Sequence, residues 1–85
     1  MGINQFKTYA LRTMCEAHLW KIGEEDIFFL KGWEYRIVLV RLGASNYAFT
    51  LQKRVKGRDW TTPLYFKDLG RLFHDLFRNL CISYE

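Results

Sequence analysis

The sequence predicts a single small α+β domain in which two helices pack on one face of an antiparallel meander of three or four strands, in the order α-β-β-β-α. Three observations predict this class. The apolar residues near the C-terminus recur at helical spacing, the centre of the chain is rich in β-branched and aromatic residues, and glycines separate these segments. With 85 residues, the chain is expected to form one domain over residues 1–85.

The first helix is predicted over residues 4–22, with Asn4 as its N-cap and Gly23 as its stop. Its apolar residues recur at steps of three or four: Phe6, Ala10, Met14, Ala17 and Trp20. Thr8, Tyr9 and Thr13 favour extended structure, so a strand over residues 6–14 is the alternative.

Three strands follow, over residues 26–30, 33–42 and 47–55. Lys31-Gly32 is predicted to form a tight turn, and residues 43–46 a four-residue hairpin loop. Residues 60–64 are compatible with either a loop or a short fourth strand. The strands should form an antiparallel meander, because the connections between them are short.

The final helix has the clearest pattern in the chain. Its apolar residues follow the i, i+3, i+4, i+7 spacing: Phe66, Leu69, Leu72, Phe73, Leu76, Phe77 and Leu80. We expect this apolar stripe to cover the sheet, because the apolar side of a helix and the apolar face of a sheet are buried against each other.

The positive charge is concentrated in the centre of the chain. The net charge is +4, and residues 31–60 alone hold seven Lys or Arg residues against Glu34 and Asp59. A four-residue loop would set the register of the hairpin by three opposed pairs: Leu42 with Tyr47, Val40 with Phe49 and Val38 with Leu51. The opposite face would then show aromatic and basic side chains among others: Trp33, Tyr35, Ile37, Leu39 and Arg41 beside Ala48, Thr50, Gln52, Arg54 and Lys56. A register shift of one residue would exchange the two faces.

Nine aromatic and basic residues are the candidate contact residues: Trp33, Tyr35, Arg36, Arg41, Lys53, Arg54, Lys56, Arg58 and Trp60. Trp, Tyr and Arg are enriched at hot spots of protein interfaces, so a protein partner is one interpretation. Nucleic-acid binding by the hairpin 33–58 is another, with bases on the rings and phosphates on the cations. The first helix could also cover this face. Trp60 is expected to close the sheet–helix core, with an exposed anchor as the alternative.

Catalytic and metal-binding patterns are not found in the sequence. Ser45 and Ser83 are not in a nucleophile motif, no glycine-rich phosphate loop occurs, and adjacent residues such as His74 and Asp75 do not face each other on a helix. We therefore expect a protein without enzymatic activity, cofactor or metal. The sequence shows no membrane-spanning run and no signal peptide, so a cytoplasmic location is expected.

Cys15 and Cys81 are far apart in sequence and lie outside any CxxC motif. In a reducing cytosol we expect both to be buried, small apolar residues. A zinc site that combines them with His18 and His74 is the weaker alternative.

Residues 46–80 resemble small bacteriophage and prophage accessory proteins, most of them uncharacterised. The resemblance lies in a strand that ends in Lys-Arg, a glycine turn, an aromatic residue, a Tyr-Phe step and an amphipathic helix: Tyr47–Arg54, Gly57, Trp60, Tyr65-Phe66, Leu69, Leu72-Phe73 and Leu76. It implies a stand-alone protein that binds and inhibits a host or defence protein, as anti-CRISPR proteins do.

The sequence has two further interpretations. The element order is similar to that of the double-stranded RNA-binding fold, although Phe66-Lys67-Asp68-Leu69 stands where that family has a lysine-rich helix start. A homodimer is the other, because 18% aromatic residues exceed what one small core is expected to bury.

Overall fold

A computed structural model describes residues 1–82. The described elements are α1 (Ile3–Cys15), a 3₁₀ turn (Ala17–Leu19), β1 (Glu25–Leu30), β2 (Trp33–Arg41), β3 (Tyr47–Arg54), β4 (Leu64–Phe66) and α2 (Leu69–Asn79). The four strands form one antiparallel sheet in the order β1-β2-β3-β4. The predicted α+β class is confirmed, with the four-stranded form of the sheet.

Both helices pack on the same face of the sheet, and Phe6 of α1 lies at the centre of their contact. Its ring centroid is 5.6 Å from that of Phe28 in β1 and 5.3 Å from that of Phe77 in α2. The predicted apolar stripe of α2 is confirmed, since its buried residues are Leu69, Leu72, Phe73, Leu76 and Phe77. The two helices therefore bury one face of the sheet, and neither helix packs on the other face.

The first segment is a helix, so the alternative of a strand over residues 6–14 is wrong. α1 begins earlier than predicted, after Gly2 instead of Asn4, and it is shorter overall because it ends at Cys15 instead of residue 22. At its start, the Gly2 backbone N–H donates to the Gln5 side-chain oxygen at 2.9 Å, which provides the cap.

The fourth strand lies further along the chain than predicted, at Leu64–Phe66 and not around residues 60–64. Phe66 consequently belongs to β4, although its spacing placed it in the last helix. The reason is the position of the cap of α2. Asp68 has extended backbone, and its side chain accepts a hydrogen bond from the Arg71 N–H at 2.8 Å, so α2 begins only at Leu69.

The register of the central hairpin differs from the prediction by one residue. Its loop spans five residues, 42–46, and is closed by the Leu42 N–H, which donates to the Asn46 carbonyl at 2.8 Å. The register pairs Leu39 with Phe49 and Ile37 with Leu51. The pairs predicted for a four-residue loop are therefore wrong, and the two faces of β2 are exchanged relative to the prediction.

Candidate functional site

The face of the sheet opposite the helices is the main candidate surface, and we call it the open face. Throughout the described residues both helices lie on the other side. From the strand register, the side chains on the open face are Glu25, Ile27, Phe29, Glu34, Arg36, Val38, Val40, Ala48, Thr50, Gln52, Arg54 and Tyr65. Three of its apolar side chains are well exposed, Ile27 at 41%, Phe29 at 50% and Tyr65 at 57%.

Trp60 lies over the open face, stacked against two arginines. The guanidinium carbon of Arg54 is 4.2 Å from the centre of the Trp60 ring, and that of Arg36 is 4.7 Å from it. Trp60 is half-buried and does not belong to the core between sheet and helices. The expectation that it closes this core is therefore wrong. Its position follows from the two arginines, which come from neighbouring strands and project from the open face.

Hydrogen bonds of the following residue, Thr61, hold Trp60 over the sheet. The Thr61 N–H donates to the Lys53 carbonyl at 3.0 Å, and the Lys53 N–H donates to the Thr61 hydroxyl at 3.1 Å. The Gln52 side-chain amide also donates to the Thr61 carbonyl at 3.0 Å. These contacts fasten the segment before β4 to the edge of β3, so that the indole ring is held in place in the free protein.

The two arginines under Trp60 are paired with acidic side chains. Arg54 forms a salt bridge with Glu34, which is only 8% exposed. The Arg36 guanidinium lies 3.5 Å from the Glu25 carboxylate, and its Nε donates to the Gln52 side-chain oxygen at 3.0 Å. The centre of the open face thus has aromatic and guanidinium groups but no net charge.

The remaining predicted contact residues lie elsewhere. Tyr35 points into the core and is 3% exposed, because the one-residue change of register turns its side chain towards the helices. Trp33 and Lys53 also lie on the helix side of the sheet, where the Lys53 ammonium is 4.7 Å from the centre of the Trp33 ring. The other three are exposed at the ends of the sheet: Arg41, Lys56 and Arg58.

Of the nine candidates, the structure therefore brings together Arg36, Arg54 and Trp60. The sequence does not indicate the exposed apolar residues on the same face, Ile27, Phe29 and Tyr65. The strand predicted over residues 26–30 is apolar at every position from Ile27 to Leu30, so its sequence does not indicate which side chains face away from the core.

A groove of about 310 Å³ lies on the other side of the sheet, next to the C-terminal end of α2. Its lining includes Trp33, Lys53, Leu64, Asp75 and Leu80. The Asp75 carboxylate accepts a hydrogen bond from the Asn79 side-chain amide at 3.1 Å and lies 3.9 Å from the Arg78 guanidinium. The carboxylate is therefore engaged within its own helix.

Tyr9 and Asp26 form a polar contact at the margin of the core. The Tyr9 hydroxyl donates a hydrogen bond to the Asp26 carboxylate. Burial, together with the hydrogen bond and the charge of Asp26, raises the pKa of Tyr9 well above its ordinary value. Burial alone raises the pKa of Tyr35. The hydrogen bond between Tyr9 and Asp26 connects α1 to β1.

Both cysteines are free and exposed, so the expectation that they are buried is wrong. Cys15 is the last residue of α1, and Cys81 follows the C-cap of α2. Ends of helices lie at the surface, which explains why these two side chains are not part of the core. Among residues 1–82, no three His, Cys, Asp or Glu side chains are grouped closely enough to hold a metal ion.

Comparison with protein-family models, with curated proteins and with solved structures finds no match to this chain. Within residues 1–82, no helix has the length and apolar character required to cross a lipid bilayer. The function is therefore inferred from the open face and the side chains that it carries.

Proposed function

We propose that this protein is a non-enzymatic protein-binding module that contacts its partner through the open face. In this proposal it acts in the cytosol as a bacteriophage or mobile-element protein that binds and inhibits a host or defence protein, in the manner of anti-CRISPR proteins. The observation that carries the binding role is the position of Trp60, stacked on two arginines on the sheet face that also carries exposed apolar side chains.

The composition of the open face is that of a protein interface. Trp, Tyr and Arg are the residue types most enriched at hot spots, and the open face carries all three. Phe29 and Tyr65 are at least half exposed although they are large apolar residues. Trp60 is already held by its stacking contacts in the free protein, so binding a partner would cost little further side-chain entropy at this residue.

The local charge favours a protein partner with an apolar contact surface. Glu34 neutralises Arg54, and Glu25 neutralises Arg36, so the centre of the open face offers no unpaired cation to a phosphate. Exposed cations remain at the ends of the sheet, at Arg41, Lys56 and Arg58. These would complement acidic residues at the rim of the partner's contact surface and set its orientation. The inhibitory role is supported by the resemblance of residues 46–80 to phage accessory proteins.

A capture experiment with matched variants tests the binding role. The tagged protein is incubated with bacterial lysate at near-physiological salt, and the captured proteins are quantified by mass spectrometry. The open-face variant is Phe29→Ser with Tyr65→Ser. The control is Leu11→Ser with Leu19→Ser, which changes two equally exposed apolar residues, 63% and 60% exposed, away from the open face.

We expect capture of a specific protein to fall at least about tenfold in the open-face variant, because each hot spot contributes on the order of 2 kcal/mol. The control variant should capture as much as the unchanged protein. Absence of any specific partner, or equal capture by both variants, would contradict the proposal.

Nucleic-acid binding is the second candidate, and the surplus of basic residues in 31–60 favours it. It is tested by titration with single- and double-stranded oligonucleotides over a series of salt concentrations. A nucleic-acid-binding protein should lose affinity steeply with salt, because bound cations are released from phosphates. Alanine substitution of Arg41, Lys56 and Arg58 should then flatten this dependence. No measurable binding at low salt would eliminate this candidate.

A further inference from the structure

The two edge strands of the sheet differ in how well they are protected from pairing with a further strand. β1 and β4 are the edge strands. β4 spans three residues and follows Pro63 closely, both of which are ways in which proteins protect a sheet edge. β1 spans six residues, and its part from Ile27 to Leu30 contains no proline, lysine or other charged residue. The apolar part of β1 is thus the less protected of the two edges, although the strand begins with the charged residues Glu25 and Asp26.

The hydrogen-bond pattern shows which backbone groups of β1 face outwards. The Leu39 N–H of β2 donates to the carbonyl of Glu24, immediately before β1, at 3.2 Å. Hydrogen-bonded pairs of an antiparallel ladder recur at every second residue. The backbone groups of Asp26, Phe28 and Leu30 therefore face β2, and those of the alternate residues point away from the sheet: Glu25, Ile27 and Phe29.

At the β4 edge, the backbone groups of only one strand residue point away from the sheet. Lys53 of β3 exchanges hydrogen bonds with Thr61, on the β4 side of β3. Leu64 and Phe66 pair with β3 residues of the same phase, so their backbone groups face β3 and those of Tyr65 point outwards. β1 consequently offers three residues for pairing with a new strand, and β4 offers one.

We propose that two copies of this chain pair antiparallel through β1 and form a continuous eight-stranded sheet. A two-fold axis beside Phe28 would place Ile27 opposite Phe29 of the second copy, and both residues lie on the open face. These are 41% and 50% exposed in the single chain, so the pairing covers apolar surface that is otherwise in contact with water.

The charges at the two ends of β1 select a second copy in antiparallel orientation. The strand begins in an acidic run, Glu24-Glu25-Asp26, and is followed by Lys31. Antiparallel pairing about Phe28 brings Glu25 of each copy beside Lys31 of the other, whereas parallel pairing would bring the acidic runs together. The strand is thus complementary to itself in charge as well as in apolar residues.

This dimer does not depend on the partner-binding role, and it would extend the open face across two copies. The interface is small, one strand with two apolar side chains on each copy, so we expect a weak, concentration-dependent association. Light scattering or sedimentation equilibrium over about 10 µM to about 1 mM should show the mass rise from 10.2 kDa towards twice that value.

The deciding variant is Ile27→Pro, with Tyr65→Pro as its matched control. Each removes a backbone N–H that points away from the sheet, so both are compatible with an edge strand of the folded chain. Ile27→Pro should remain at 10.2 kDa at every concentration, and Tyr65→Pro should associate like the unchanged protein. Tyr65 lies on the open face, so loss of the dimer in Tyr65→Pro would indicate face-to-face association and overturn the proposal.

A single mass for the unchanged protein at all concentrations, or full association of Ile27→Pro, would also overturn it. If Ile27→Pro does not fold by circular dichroism, amide hydrogen exchange of the unchanged protein decides. The amides of Ile27 and Phe29 should exchange more slowly at the high concentration than at the low one, with that of Tyr65 unchanged. Exchange of Ile27 and Phe29 independent of concentration would refute the pairing.

Discussion

Arg54 and Trp60 are stacked, with the guanidinium carbon 4.2 Å from the centre of the indole ring. Arg54 is the last residue of β3, and Trp60 belongs to the connection from β3 to β4. Arg36 of β2 stacks on the same ring, so three segments meet at one side chain. The cluster therefore has a structural role in addition to the binding role proposed for it, and the two roles can be measured separately.

The first prediction concerns the contribution of this stack to stability. Trp60→Ala should lower the free energy of unfolding by about 2 kcal/mol, because two partly desolvated cation–π contacts and the ring's packing are lost. Trp60→Phe should lose less, since a smaller ring remains. Urea denaturation at neutral pH measures both.

Tyr65→Ala is the control for removal of an exposed ring from the same face. It should change the free energy of unfolding by less than about 0.5 kcal/mol, because Tyr65 is 57% exposed. Equal stability of Trp60→Ala and the unchanged protein would show that the stack does not stabilise the fold.

The second prediction concerns Glu34, which is 8% exposed beneath the open face and pairs with Arg54. Glu34→Ala should cost about 2 kcal/mol, because it leaves the Arg54 guanidinium without its carboxylate. The cost is below that of a fully buried pair, since the Arg54 side chain is 30% exposed. Chemical denaturation at neutral pH provides the measurement.

The pair Arg71–Asp68 provides a matched comparison, because it is an ion pair whose side chains are 70% and 60% exposed. Arg71→Ala should change the stability by less than about 0.5 kcal/mol. Similar losses of stability in Glu34→Ala and Arg71→Ala would show that burial of Glu34 does not make its ion pair more important than an exposed one.

Much of the fold could be predicted from the sequence, and α2 shows why. Its buried residues repeat at the helical period, and its polar residues occupy the other side, so only one face of the helix can be buried. The sequence of β2 has no such one-sided apolar pattern. Tyr35, Ile37 and Leu39 lie on one face, while Val38 and Val40 lie on the other, so both phases of the strand are apolar. The length of the hairpin loop therefore determines which face of β2 is buried. A loop of five residues is as compatible with the sequence as a loop of four.

The candidate site was predictable only in part for the same reason. The basic and aromatic residues could be selected by type, which included Arg36, Arg54 and Trp60. Their meeting on one face depends on the register, and Trp60 reaches that face through backbone contacts of Thr61. Contacts of this kind join segments that no periodic pattern relates, so the sequence alone did not place Trp60.

The third prediction concerns Tyr9 and alkaline pH. The folded protein keeps the Tyr9 proton to higher pH than the unfolded chain does, because burial and Asp26 raise the pKa of this hydroxyl above its ordinary value of 10.0. The stabilisation is complete below about pH 10 and is lost as the pH rises further, since the unfolded chain then releases a proton that the folded chain retains.

Tyr9→Phe should therefore be less stable than the unchanged protein at pH 7, by about 1–2 kcal/mol for the hydrogen bond to Asp26. It should also lose less stability than the unchanged protein between about pH 9 and about pH 11. Urea denaturation over this range measures the difference. Parallel curves for the two proteins would show that Tyr9 does not contribute to the alkaline loss.

The fourth prediction concerns the end of α2. The Ile82 N–H donates to the Phe77 carbonyl at 2.9 Å and the Cys81 N–H to the Arg78 carbonyl at 3.2 Å, which are the two hydrogen bonds of a Schellman cap. Buried Ile82 and Phe77 supply the apolar contact that accompanies this cap. The position that glycine usually occupies is held by Cys81, with φ of 55°. A side chain with a Cβ is strained in this left-handed conformation.

Cys81→Gly should therefore stabilise the protein by about 0.5–1 kcal/mol, although it removes a side chain and makes the unfolded chain more flexible. For a domain of this size the midpoint of thermal unfolding should rise by about 3–6 °C. Cys81→Ala is the matched control, because it removes the thiol but keeps the Cβ, and it should leave the midpoint unchanged. An equal rise in both variants would attribute the gain to loss of the exposed thiol, and no rise in either would show that the left-handed residue costs the fold nothing.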